Sequence, residues 1–480
     1  MSSSESGKST RIFQRKGVKR IGYLVLVLSI ACISWGYGVL SLKRGWFPYP
    51  QVQELVSKAR LRAEILREHS RLDLGWFYYR PAADQLPKVK TYIPDAVSPE
   101  PLLVYGIDEE RQMRVKIIDN DGLVLHEWPL DIFELWPDME HVPPWRQPIA
   151  EIGGEIVDGL EITQDGDIVF NYEPFGLFKL GFCGDVKWKI PTYTHHSVHL
   201  DQSGNLVVLE QLIQMDPHRV DLRNGPYKNL DVNGRVEAFE ENVLIVAPDG
   251  SILERISIND LLLENGLDGL YYLSAEAVYG VDFKNSDLMH SNDAETFPLD
   301  MEEGFFGRGD VVVSLHNLNT IFVFNIDSRK IKFVHTGSMI MQHDPDFISG
   351  NEISVFDNHP TLIPQVFRPK RPDTVSSRIL IIDALTGKEK VFFQGGKDIP
   401  FFSDNAGRHQ WLPNGNLLIT EARWGRVFEL SPEGELVWEY NNILDSGLEE
   451  GLLGITFEGR RLPSELNADK LRELAGACDS

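Results

Sequence analysis

The chain has 480 residues, 42% hydrophobic and 25% charged, enough for one large domain or a few ordinary ones and too apolar for a disordered chain. Its formal net charge is −24, yet residues 1–50 carry eight lysines and arginines against Glu5 alone, so the acidity belongs to the remainder. A body that acidic repels a phosphate backbone, which excludes nucleic-acid binding through its general field. The three cysteines show no CxxC or Cys/His clustering, which argues against zinc and haem frameworks.

Residues 1–20 read as a basic cytoplasmic tail. Ile21–Leu42 follows, an apolar run without charge, long enough for a ~30 Å hydrocarbon core. Trp35, Tyr37 and Trp46 lie near its outer end, where amphipathic rings favour the interface. The excess of Lys and Arg before the run places the tail in the cytoplasm and everything after Leu42 across the membrane. The run is longer than a signal-peptide core, and no clear small-x-small cleavage site follows it, so it reads as a single-pass signal anchor. Residues 43–95 read as a stalk helix, Val52 to about Leu72, and a linker. The stalk's mixed charges suit packing on the following domain or on a membrane protein partner. Residues 96–462 form the large domain, and 463–480 a C-terminal tail. Cys183 and Cys478 can pair in an oxidising compartment, a point left open here.

The large domain is repetitive. Apolar strands end in turns holding Gly-Asn, Gly-Asp or Asp-Gly, and β-branched strands follow, as in Gly159 to Phe170, Ser197 to Leu209 and Gln410 to Thr420. Closing halves end in tryptophan, as in Val115 to Trp128 and Val427 to Trp438. These are hairpins in units of about four strands, five complete and one split, which predicts an all-β, six-bladed β-propeller. The split unit joins strands near 102–130 to a C-terminal strand near Gly454 to Arg460. An array of β-sandwiches is the alternative fold.

Aligning the units on Ile162, Leu200, Ala294, Phe347 and Leu412 puts one polar residue four positions earlier in each: Asp158, His196, His290, His343 and Arg408. Equivalent inner-strand positions surround the axis of a propeller, so this register predicts a polar ring. Neutral imidazole serves as a nucleophile or general base, His⁺ and Arg stabilise a developing oxyanion, and three histidines can bind a metal. No serine elbow, phosphate-binding glycine loop or paired carboxylates stand out.

Several segments together resemble the bacterial arylsulfotransferase family: Thr194-His-His-Ser-Val-His, Met289-His-Ser-Asn, Val313-Ser-Leu-His-Asn, Met341-Gln-His-Asp with Phe356-Asp-Asn, and Leu412-Pro-Asn-Gly-Asn. The resemblance spans roughly residues 100–460. It implies a periplasmic six-bladed propeller, here tethered to the cell inner membrane. It implies sulfuryl transfer from an aryl sulfate to a phenol through a sulfohistidine, with neither nucleotide donor nor cofactor. By resemblance His343 takes the role of nucleophile, while His195, His196 and His290 flank the sulfuryl oxygens. The family's arginine in the Ser-Leu-x-Asn segment is replaced here by His316. Two other readings stand beside this one: a non-catalytic propeller that binds a ligand or docks in a membrane complex, possible also as a homo-oligomer, and a quinone-dependent oxidoreductase.

Overall fold

The computed structural model describes residues 23, 25–41, 44, 47, 79–82, 86–108, 112–142, 157–173, 175–214, 238–273, 288–360, 375–444 and 451–478. The chain divides into two compact units, residues 1–67 with 229–236, and residues 68–228 with 237–480. In the first, residues 25–41 are helical, and the Tyr37 hydroxyl donates to the Phe47 carbonyl at 2.7 Å. No helix among the described residues is long and apolar enough to cross a membrane. The expected span 21–42 is thus helical over 25–41, with residues 21, 22, 24 and 42 outside the described residues. The basic tail 1–20 and the stalk helix expected over 52–72 also lie outside them.

The second unit is mostly antiparallel sheet. Among the described residues it holds five sheets of four strands, one of five and one of three. Four sheets are simple meanders. The first runs Val157–Ile162, Ile168–Tyr172, Gly176–Leu180, Val186–Ile190. The second runs Thr194–Leu200, Leu206–Gln214, Ala238–Val246, Ile252–Ser257; the third Ser291–Thr296, Asp310–Leu315, Thr320–Asn325, Ile331–Thr336; the fourth His343–Ser349, Glu352–Asp357, Arg378–Asp383, Glu389–Gln394. The fifth takes Arg408–Trp411, Leu417–Glu421, Arg426–Leu430 and Leu436–Asn441, with Val89–Thr91 added outside from the segment read as linker. The sixth pairs the late strand Thr456–Arg461 with Leu102–Ile107, followed by Met113–Ile118 and Val124–Pro129, so the expected union of chain ends is present.

One hairpin recurs because one sequence phrase recurs. In Thr163–Asp167, Asp201–Asn205, Ala247–Ser251, Leu412–Asn416 and Ser431–Glu435, the glycine N–H donates to the carbonyl three residues back, at 2.9–3.0 Å. The loop's first N–H donates to the carbonyl four residues on, at 2.8–2.9 Å. Asp and Asn side chains add Asx contacts, such as Asp201 Oδ1 with the Ser203 and Asn205 N–H groups.

The core lies between neighbouring sheets. Val169, Leu177, Val198, Val208 and Leu244 join the first and second. Phe297, Val312, Phe347, Ile353 and Leu380 join the third and fourth. Phe356, Ile379, Ile419 and Phe428 join the fourth and fifth, and Leu102, Val104, Leu418 and Trp438 join the fifth and sixth. Strands buried on both faces read as continuous apolar runs, as in Val311 to Val313. The segment read as a tail carries an α-helix, Ala468–Cys478. Leu471 is buried in the core of the first and sixth sheets, and a Cys183–Cys478 disulfide ties the helix to the Gly181–Asp185 hairpin.

Candidate functional site

Inner strands of five sheets carry a break in their ladders. Pairing slips between Asp158 and Leu160, His195 and Val198, Ser291 and Asp293, His343 and Pro345, and Thr456 and Glu458. Left-handed residues stand in three of these slips, Gly159 (φ 65°), His196 (53°) and Asp344 (52°), and His290 (50°) immediately precedes the strand that carries another. Such bulges bend a strand and re-aim its side chains. For a residue with a Cβ the conformation costs ~1–2 kcal/mol, strain that typically gathers at functional sites. The fifth inner strand begins at Arg408, just after Ala406 (φ 56°).

These bulges turn the register into a site. Asp158, His196, His290, His343 and Arg408 line one cavity of about 220 Å³, together with Glu173, Asn292, Asp344 and Glu458. Tyr105 and Phe457, stacked with ring centroids 5.8 Å apart, supply an apolar wall. Beside it runs a chain of imidazoles: His195–His196 (5.0 Å between centroids), His196–His290 (4.7 Å), His290–His316 (5.0 Å) and His316–His343 (5.2 Å). All seven residues expected from the sequence, His195 and His316 included, therefore belong to one neighbourhood.

His343 is the most closely oriented. Its Nδ1 lies 2.7 Å from Asn358 Oδ1 and 3.2 Å from the Met341 carbonyl. Asn358 Nδ2 donates to the Ser403 and Ala406 carbonyls at 2.9 and 2.8 Å, which settles which end of the amide faces the ring. Both groups at Nδ1 are acceptors, so Nδ1 carries the proton and Nε2 the lone pair. Burial, helped by the neighbouring His290 and Arg408 charges, lowers the imidazole pKa to about 4 despite those hydrogen bonds, so the ring is neutral near pH 7. Burial, with the surrounding histidines, holds His196 well below its ordinary value too. The Nδ1 atoms of His195 and His196 lie 2.8 Å apart, so one donates to the other.

Arg408 is heavily engaged. Its guanidinium meets Asp344 at 2.9 Å, Asp293 at 3.3 Å and Glu458 at 3.4 Å. Burial alone would lower its pKa, but these carboxylates raise it well above the ordinary value. Asp344 also accepts from His409 Nδ1 at 2.7 Å. Burial pushes Asp344 up, yet His409 and Arg408 together bring it below the usual carboxylate range. Deeper on the inner strands, burial lifts Glu295 to about 8 and Asp346 well above its usual value.

Sequence reading missed several of these groups. Asn358 and Asp344 stand inside quoted motifs, but only the fold brings Asn358 to His343, fifteen residues earlier. Glu173 belongs to no register. It hydrogen-bonds Asp158, so a carboxylate pair is present where none was expected. The pair and His196 place ligand atoms within 4.8 Å of one another, as do Asp344, Asp346 and His409. The histidine trio considered as a metal site does not converge this way among the described residues.

Among solved structures the chain is similar to a protein of unknown function from Bacteroides caccae, 14% identical with TM-score 0.43, covering 75% of this chain and 99% of that one. It is similar to a catalytically inactive virginiamycin B lyase from Staphylococcus aureus (10%, TM-score 0.36, 77% and 99%). It is also similar to the Cps50 (Swd1) β-propeller domain from Myceliophteria thermophila (7%, TM-score 0.39, 77% and 100%). No curated protein matches. The family model described as Arylsulfotransferase (ASST) matches residues 183–443, more than half of the chain, and that stretch carries His195, His196, His290, His316, His343 and Arg408. The chain belongs to the arylsulfotransferase (ASST) family.

Proposed function

We propose that this protein is a six-bladed propeller enzyme that moves a sulfuryl group from an aryl sulfate to a phenol through a sulfohistidine on His343. The observation that carries the reading is the tautomer of His343: Asn358 takes the Nδ1 proton at 2.7 Å, and the Nε2 lone pair belongs to a neutral ring lining the cavity. Nε2 attacks sulfur and the S–O bond to the phenol breaks. The resulting N-sulfonated imidazolium keeps its Nδ1 proton, which it donates to Asn358 Oδ1. A second phenol then takes the group and the electron pair returns to Nε2. His196, His290 and His316 supply N–H donors toward the sulfuryl oxygens, and the Tyr105–Phe457 wall offers a face for the arene. The chain is read as anchored in the inner membrane by Ile21–Leu42 with the propeller in the periplasm, which the basic N-terminus and the Cys183–Cys478 disulfide support.

The test uses detergent-solubilised full chain, para-nitrophenyl sulfate and phenol. Intact mass spectrometry after donor addition shows a sulfo-adduct that maps to His343 and is absent in His343→Ala, and phenol discharges it. No adduct from a panel of aryl sulfates overturns the reading. A second reading, a propeller that binds a ligand without turning it over, is favoured by Arg408, whose guanidinium is neutralised by three carboxylates, and by His316 in the place of the family arginine. Saturable donor binding with no adduct distinguishes it.

A further inference from the structure

Sulfuryl transfer between phenols moves a proton as well as a sulfuryl group, and His343 carries none of that traffic, since its one N–H is committed to Asn358. A phenolate leaving group needs a proton, and an acceptor phenol must lose one. We infer that Asp158, paired with Glu173, is the acid–base group of this site and serves both half-reactions, an inference that rests on the sulfotransfer reading above.

Both carboxyls line the cavity that His343 lines. They hydrogen-bond each other, and their oxygens lie within 4.8 Å of a His196 ring nitrogen. Two carboxylates at that spacing are favoured in a state that shares one proton. A shared proton also lowers the charge of the pair from two to one, which weakens its repulsion of an incoming sulfate. The charged and titratable groups acting on Asp158 are Glu173, Arg408 and His290, with His196 beside the pair; His343, Asp344 and Glu458 line the same cavity. Burial raises Asp158 to about 6 against the opposing pull of Arg408, Glu173 and His290, near the range where a group both gives and takes a proton at neutral pH. Three other titratable groups of the cavity are less suited. His196 is held neutral far below that range, while Asp344 and Glu458 are tied to Arg408.

The steps balance. In the first, the N–S bond forms at His343 Nε2, the S–O bond breaks, and the Asp158 proton passes to the departing phenolate oxygen. In the second, the acceptor phenol gives its proton to the Asp158 carboxylate as its oxygen attacks sulfur, the S–N bond breaks, and the pair is reset.

The experiment measures single-turnover formation of the His343 adduct for Asp158→Asn and wild-type full chain, across aryl sulfates from para-nitrophenyl to para-methylphenyl. An activated phenolate leaves without help, so the loss grows with the basicity of the leaving phenol. It reaches roughly 10²-fold or more for para-methylphenyl sulfate and is at least about tenfold smaller for para-nitrophenyl sulfate. Asp158→Glu, which keeps the carboxyl, restores the shallow dependence and guards against an Asn variant that merely folds poorly. A loss equal across all donors, or no loss, overturns the assignment while leaving His343 as nucleophile. Absence of any adduct in wild type, even from para-nitrophenyl sulfate, overturns the sulfotransfer reading and this one with it.

Discussion

Replacing Asn358 by alanine tests the link between fold and nucleophile. Asn358 is fully buried and makes three bonds: it accepts from His343 Nδ1 at 2.7 Å and donates to the Ser403 and Ala406 carbonyls at 2.9 and 2.8 Å. The Ser403 carbonyl also faces the Ser377 hydroxyl at 3.2 Å, but that single proton is shared with the closer Asn358 carbonyl at 3.0 Å, so its loss is only partly softened. The Ala406 carbonyl loses its Asn358 donor, and His343 Nδ1 is left with only the longer contact to the Met341 carbonyl. A buried polar group stripped of its partner costs about 1–3 kcal/mol, so the variant should lose roughly 2–4 kcal/mol of stability. The site is hit separately. Without Asn358 the Nε2–H tautomer, which cannot attack sulfur, becomes accessible, and the ring gains rotational freedom. A penalty of about 1.4–2.7 kcal/mol in the transition state is a 10- to 100-fold slower adduct. Urea denaturation measures the first effect and rapid-quench mass spectrometry of the His343 adduct the second. Asn358→Asp separates them further, since a carboxylate still accepts from Nδ1 but stabilises the charged ring, which shifts adduct formation to higher pH. If Asn358→Ala unfolds within about 0.5 kcal/mol of wild type and forms adduct within about threefold of its rate, the tautomer argument is wrong.

Three further outcomes follow from the structure. A Cβ at Gly159 would sit 2.2 Å from the His196 carbonyl oxygen and 2.4 Å from the Val198 nitrogen, so Gly159→Ala should lose more than about 3 kcal/mol or fail to fold, whereas Gly184→Ala, also left-handed but facing open space, should lose only ~1–2 kcal/mol; thermal melts compare them. Stability should peak slightly acid of neutral: the lowered His343 contributes stability that is present above about 6.5 and lost as pH falls toward 4, while the raised Glu295 contributes stability that is present below about 4.5 and lost as pH rises through about 8, so Glu295→Gln should flatten the alkaline limb of a melting-temperature profile. The Cys183–Cys478 bridge closes a separation of 295 residues, for which loop entropy sets an upper bound of about 6 kcal/mol; reduction should release Ala468–Cys478 before the sheets melt, seen as hydrogen exchange appearing first in that helix.

The legible part of this protein was what repeats. Turn phrases such as Asp165-Gly166 and Asn414-Gly415 mark hairpins because the loop chemistry is local, and an alignment on those turns was enough to bring Asp158, His196, His290, His343 and Arg408 into one cavity. What the pattern could not convey was anything set by a second strand. The bulges at His196, Asn292 and Asp344 are slips between partners, not properties of one strand. Asn358 sits at the end of the strand beside His343, and its donors reach the loop before the fifth sheet. Glu173 stands in the turn after a second strand, where no register points. The C-terminal helix was missed for a related reason: its mixed sequence has little apolar surface, and one buried leucine and a disulfide hold it.

The electrostatics of the site decide how it can treat an anion. With Arg408 bound by Asp344, Asp293 and Glu458, and His196 and His343 held neutral by burial, the cavity offers a sulfate ester little uncompensated positive charge. A site with strong fixed cations would bind aryl sulfate and transition state alike, which lowers KM without raising kcat. A neutral imidazole such as His196, held at a bulge, behaves differently. It can present an N–H group whose value rises as negative charge gathers on the sulfuryl oxygens and the departing phenolate. On the resemblance, His316 stands where the family has an arginine, and in the proposed reaction that exchange would remove a permanent charge while keeping a ring that can donate. The same change makes the reaction depend more heavily on a proton arriving at the leaving oxygen, since no fixed cation stands ready to stabilise a free phenolate. On the proposed sulfotransfer reading, weak ground-state attraction, a neutral oxyanion donor and a proton-sharing carboxyl pair form one mutually dependent arrangement, in which the loss of the pair costs most where the leaving group is most basic.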